Sequence, residues 1–271
     1  MPEKTTNIPE GRDATEAASW TGRLERGLEG SRLAIQSVFA GQPNVIKAAE
    51  SLRLEEGFTG ALYDLREYHL IRPCEIIPDF EQVLKTFAPE MLVAAQDFQE
   101  PAFVMGSKGR SFYDIAAAAN RDKKMMLQRG ILVNELFVDH AGREPKKWSA
   151  HIVEGAPGIE THEFDNIYLP LGERVKQFSA YKKASGVKGM DRWVYLALMM
   201  QKLKKGQPVD SKSSTILDGD PALTTSAQIP YAFWNGRIPW NRRVFFDWQN
   251  TDKREKGFHF RRSVGGDVPS V

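Results

Sequence analysis

Between Asp191 and Gly206 the chain places Trp193, Leu196, Ala197, Met200 and Leu203 on a helical repeat. Asp191 stands where a cap would, and Lys202, Lys204 and Lys205 fall in the last turn, so both ends suit the helix dipole. After Pro208 the texture changes. Short β-like runs (Thr215–Leu217, Ile229–Trp234, Val244–Trp248, Phe258–Arg262) alternate with turn residues: Asp218-Gly219-Asp220, Asn235-Gly236, Gly265-Gly266. Asn-Gly between apolar runs is a strong hairpin signal. A long helix feeding a run of strands predicts an α+β protein: a mostly helical N-terminal region, then a mixed region ending in an antiparallel C-terminal sheet that rests on helix 191–205.

Upstream, the spacing predicts one or two helices from Trp20 to Phe39, and a helix from Asn44 through Leu54 that ends near Gly57. Pro78-Asp79 and Pro89 each open a further short helix. Ala102–Met105, Gly130–Val138, Ser149–Val153 and Asn166–Leu169 read as strands, and Phe112–Gln128 and Pro170–Lys183 as helices. The domain reading is a flexible tail over 1–15, a mainly helical region over 16–129, and an α+β domain over 130–271. The turn GSKGRS at 106–111 has neither phosphate-loop nor dinucleotide spacing, so it reads as a solvated turn capped by Ser111, with an anion nest as the minor alternative.

The 271 residues are ample for an independent core, and 27% charged residues are those of a globular chain. No run approaches the roughly 20 apolar residues of a membrane helix. The N-terminus lacks an apolar signal region, and the lone Cys74 fits a reducing compartment, so a cytoplasmic location is expected with no membrane partner. A net charge of +2 gives no general bias toward nucleic acid.

Local chemistry concentrates at 228–267. Three of the six tryptophans (Trp234, Trp240, Trp248) lie within fifteen residues, and eight basic residues oppose three acidic ones from Tyr231 to Arg262. Trp, Tyr and Arg dominate binding energetics because each covers much area and keeps a polar handle. Strand alternation supplies the competing reading. If Val244, Phe246 and Trp248 fill a core, Phe245 and Asp247 point outward. The candidate ligand-binding residues are Trp234, Asn235, Arg237, Trp240, Asn241, Arg242 and Asn250. The leading function is a binding protein for a protein or glycan ligand, with no catalytic residues, no cofactor and no metal. A single-stranded nucleic-acid binder is the alternative, since bases stack on rings while arginines track phosphates. A metal-dependent enzyme built on His140, His151 and His162 stands third, against a spacing that lacks H-E-x-x-H or an i, i+4 pair.

The order of features from Trp148 to Val268 resembles the closing half of C-type-lectin-like domains of the formylglycine-generating-enzyme and retroelement variable-protein kind. The segments carrying the resemblance are MDRWVYLALMMQKLKKG, STILDGD, IPYAFWNG, RRVFFDWQN and GFHFRRSVGGDV. It implies a surface of exposed aromatic, Asn and Arg positions. Formylglycine chemistry needs cysteines that this segment lacks, so only a binding role carries over.

Overall fold

A computed structural model describes residues 31–72, 75–110, 114–115, 117–118, 146–159, 162–219, 227–235 and 243–269. Among them the helices are α1 (Ser31–Val38), α2 (Pro43–Ser51), α3 (Leu54–Glu67), α4 (Phe80–Leu84), α5 (Pro89–Ala95), α6 (Leu171–Ser185) and α7 (Arg192–Lys204). The strands are β1 (Pro101–Gly106), β2 (Ser149–Glu154), β3 (Lys188–Gly189), β4 (Ser214–Ile216), β5 (Gln228–Asn235), β6 (Arg243–Asn250), β7 (Phe258–Phe260) and β8 (Arg262–Asp267). The α+β class holds. The expected tail 1–15, the strand Gly130–Val138, Cys74, Ser111 and most of the helix 112–128 lie outside the described residues.

The strands form two sheets, ordered β1-β2-β8-β3 and β6-β5-β4-β7. The first is antiparallel throughout. The second is mixed, because β4 and β7 run parallel while β4–β5 and β5–β6 are antiparallel. The C-terminal strands therefore do not make one antiparallel sheet: after β7 the chain leaves the second sheet and adds β8 to the centre of the first. Gly265 and Gly266 accordingly lie inside a strand and mark no turn. A Cβ at Gly265 would overlap the Ala150 carbonyl, and its φ of +118° suits glycine.

Helix α7 is the middle layer. Asp191 caps it, accepting from the Val194 N–H at 2.7 Å. Leu196 and Met200 are buried as expected, but so are Val194, Tyr195, Leu198 and Met199. One flank lies against β1, while Tyr195 meets Phe246 of the second sheet edge-on, with centroids 5.8 Å apart. A helix apolar on most faces is one packed on both sides. The core around it runs from Ile35 to Val268, so β1, from the expected helical region, pairs with β2 and shares that core. Helix α6 covers the other face of the second sheet, burying Leu171 and Phe178 against Ile216, Ile229, Phe258 and Phe260.

Two local expectations change for identifiable reasons. The helix after Asn44 does stop, at Ser51, but Gly57 ends nothing: it lies inside α3. There its missing Cβ lets the helix back approach Phe103 of β1, which a methyl would strike. Asn166–Leu169 is a turn and not a strand. The Asn166 side chain accepts from the Tyr168 N–H at 3.1 Å, and the Leu169 N–H donates to the Asn166 carbonyl at 3.0 Å.

The crossing between sheets is pinned by Arg261, fully buried between β7 and β8. Its guanidinium donates to Thr215 Oγ1 of β4 (2.8 Å), the Glu154 carbonyl of β2 (2.8 Å), the Ala156 carbonyl (2.9 Å) and Asp210 Oδ1 (2.6 Å). Fixed donors in a planar fork suit such a junction. Arg174 does the same for α6. It holds Asp165 through two bonds (2.5 and 2.9 Å) and donates to the carbonyls of Glu255 and Phe258.

Candidate functional site

The residues singled out from sequence divide by strand parity. Ala232, Trp234, Val244 and Phe246 face the central core, with Trp234 only 5% exposed and Trp248 partly buried against the same cluster. Trp234 is therefore a packing residue, which corrects its expected place on the ligand surface. Phe245 and Asp247 point the other way, as the alternation predicts. On that outer face Tyr231, Phe233 and Phe245 form a half-exposed ladder. Phe233 lies 5.0 Å from Phe245 with planes 9° apart, and 6.0 Å from Tyr231 with planes 14° apart. Asn235 is half-exposed at one end and Asn250 exposed at the other. Asn235 pairs with Arg243, so the hairpin connection is 236–242 and not a two-residue Asn-Gly turn. Arg237, Trp240, Asn241 and Arg242 lie outside the described residues.

Of the three candidate histidines, His151 and His162 lie among the described residues. His140 lies outside the described residues, and His162 is turned to Glu154, Nε2 to Oε2 at 3.1 Å. That carboxylate also accepts from the Arg262 backbone and guanidinium (2.6–2.9 Å). Burial pushes its pKa up, yet these bonds outweigh burial and hold it below the ordinary range. No group of three metal-ligating side chains occurs among the described residues. The turn after β1 is occupied too: Ser107 Oγ and Arg110 Nε both donate to the Leu70 carbonyl, at 2.9 and 3.1 Å.

One large concavity is not announced by the sequence. A cleft of about 1000 Å³ opens where the first sheet, the end of α6 and the start of α7 converge. From the sheet come Ser149 and His151 of β2, Lys188 and Gly189 of β3, and Ser263, Gly266 and Asp267 of β8. Helix α6 contributes Lys182 and Lys183, α7 contributes Arg192 and Trp193, and Lys147 and the Asp218-Gly219 turn complete the rim. Five basic side chains thus face three carboxylates. Asp191 is engaged as the α7 cap, and Asp218 is ion-paired to Lys182. Arg192 places a cation at the positive end of a helix, which the dipole alone disfavours by roughly 0.3–1 kcal/mol.

Asp218 is 9% exposed. Its Oδ2 accepts from Lys182, and its Oδ1 has no partner. Burial pushes its carboxyl up to about 6 against the pull of Lys182. Two glycines make this position: a Cβ at Gly189 would overlap the carboxylate, and one at Gly219 would strike the backbone of 189–191. His151 Nδ1 is also buried without a partner. Burial, reinforced by the Lys188 ammonium, pushes that imidazole down to about 4, so it is neutral at pH 7. A buried polar atom without a bond costs about 1–3 kcal/mol, and more when charged. The sequence offered little to find this site. Lys182 and Lys183 fall at the end of the helix read over Pro170–Lys183, and Asp218-Gly219 reads as a turn.

No family model, curated protein or solved structure matches this chain. No helix among the described residues is long and apolar enough to cross a membrane.

Proposed function

We propose that this chain is a binding protein whose ligand seat is the cleft, and that the ligand is a small anion. One observation carries the reading: in an opening of about 1000 Å³, once Lys182 is set against its partner Asp218 and Asp191 is spent as the α7 cap, four basic side chains face Asp267 alone. Pockets of roughly 300–1,000 Å³ are the usual size for metabolites and cofactors.

Isothermal titration with pyrophosphate, nucleoside phosphates and dicarboxylates tests it, run at low and high salt. At least one anion should bind saturably, and raise stability by about 2.7 kcal/mol at a hundredfold excess over Kd. The double variant Lys147→Glu, Lys183→Glu alters two exposed lysines. It should bind at least tenfold more weakly, about 1.4 kcal/mol, with the thermal midpoint of the free protein unchanged. Absence of saturable binding, or an unaffected double variant, overturns the reading. A single-stranded oligonucleotide in the same titration tests the nucleic-acid alternative, whose affinity would fall linearly in log salt.

The aromatic ladder on the outer face of β5 and β6 favours a second reading, a protein or glycan partner at that face. The similarity to C-type-lectin-like domains supports it. Phe233→Ala and Phe245→Ala should then weaken capture on a glycan array or of a bound protein without touching anion binding; unchanged capture removes this reading.

A further inference from the structure

Helix α7 is buried on most sides, and between Arg192 and Lys202 the positions it leaves half-exposed fall four residues apart: Trp193, Ala197 and Gln201. That spacing sets them in one row, roughly 12 Å long at 1.5 Å per residue. The row begins in the cleft, where Trp193 follows Arg192, and runs into a second space of about 30 Å³ between α7, α3 and β1. Ala61 and Leu65 of α3 and Phe103 of β1 supply its other walls. Val104, Met105, Trp193 and Ala197 line both spaces, so the cleft and this groove are neighbours along one helix.

The groove differs from the cleft in chemistry. Its charged and amide side chains are engaged with the protein: Asp64 accepts from Lys204 at 2.6 Å, and Gln201 Nε2 donates to the Phe103 carbonyl at 3.1 Å. What lines the space besides is mainly ring and alkyl surface, from Trp193, Ala197, Leu65 and Phe103 among others. Packed chains leave few voids larger than a water. A volume of about 30 Å³ has room for about two waters, and a water placed there needs polar partners that such walls do not offer. A short alkyl group needs none. At the other end of the row stand the four cations left to the cleft once Lys182 is set against Asp218. Cations at one end and an apolar seat at the other describe an amphiphile.

On the anion-binding reading given above, we propose that the ligand is a short-chain amphiphilic anion: its phosphate or carboxylate meets Lys147, Lys183, Lys188 and Arg192 in the cleft, and an alkyl group of about two to three carbons follows Trp193 and Ala197 into the groove. The cations set affinity for the head, and the groove sets the length of the tail. Inorganic phosphate occupies only the first of the two.

Calorimetric titration of the full chain with two homologous series tests this. One series is inorganic phosphate with methyl, ethyl, propyl and octyl phosphate; the other is acetate, propionate, butyrate and octanoate, which distinguishes a carboxylate head from a phosphate head. In at least one series, affinity should rise about fourfold per methylene, ~0.8 kcal/mol, through the short members and then stop rising before the octyl chain. Ala197→Leu fills the groove with alkyl atoms and leaves the cations in place. It should abolish the gain with chain length while inorganic phosphate or acetate binds as before. Ala197→Val narrows the same groove with one carbon fewer, and should reduce the gain if the leucine variant does not fold. Head groups that bind with no gain along either series overturn the groove and leave the anion reading standing. A gain that continues unbroken to the octyl chain belongs to an open apolar surface and overturns it as well, as does a gain that survives in the variants. Failure of every probe to bind removes the anion reading and this proposal together.

Discussion

His151 and Asp218 are displaced in opposite directions, and their effects on stability should nearly cancel. His151 is pushed down to about 4 by burial and Lys188, and Asp218 up to about 6 by burial against Lys182. Each displacement is roughly a hundredfold in acidity, about 3 kcal/mol when fully expressed. The folded chain holds the Asp218 proton more tightly than the unfolded chain does. Between roughly pH 4 and 6 it therefore carries more of that proton, and the Asp218 contribution falls as pH rises. The folded chain releases the His151 proton more readily. Between roughly pH 4 and 6.5 the unfolded chain carries more of it, and the His151 contribution rises with pH. The windows coincide and the slopes oppose.

Removing either group should expose the other. From pH 4 to 6.5, Asp218→Asn should gain about 3 kcal/mol relative to wild type, and His151→Gln should lose about as much. For a chain of this size that is a divergence of roughly 6–12 °C in thermal midpoint. The assay is thermal unfolding at constant ionic strength across pH 4–7, with each variant plotted as its difference from wild type. Glu154 loses its own stabilisation as pH falls through its lowered pKa, but identically in all three proteins, so the difference removes it. The double variant should run parallel to wild type. Parallel profiles for both single variants would show that neither group is displaced, and the electrostatic picture of the cleft would fail.

Two further outcomes follow from the packing. Arg261→Met should lower the urea midpoint by an amount equivalent to about 3–5 kcal/mol at constant m value, because Asp210 stays buried with its cation gone; a shift under 1 kcal/mol would mean the guanidinium is replaceable. Phe246→Ala should cost about 3–5 kcal/mol while its neighbour Phe245→Ala costs about 1, because one fills the core and the other only stacks on Phe233. Equal losses by chemical denaturation would contradict the strand parity.

What could be read from the sequence was what is decided within a few residues. Asp191 caps α7 because its side chain reaches an N–H three residues on, and Phe245 and Phe246 part company because a strand alternates. Gly57 was misread because its meaning lies in Phe103, far along the chain: a glycine ends a helix in one setting and admits a neighbour in another. Trp234 was misread because tryptophan density marks either a core or a binding face, and the choice depends on what lies across the sheet. The cleft lies at the far end of this scale. Lys182 and Lys183 do sit where helix electrostatics would put them, and Asp218-Gly219 does make a turn. They become walls of one site only because the chain leaves the second sheet at Arg261 and inserts β8 between β2 and β3. That insertion brings β3, with Lys188 and Gly189, into one sheet with His151 and sets Gly189 against Asp218. A non-local pairing of that kind leaves no periodic trace at the positions it joins, so the residues that form the cleft could be named in sequence while the cleft itself could not.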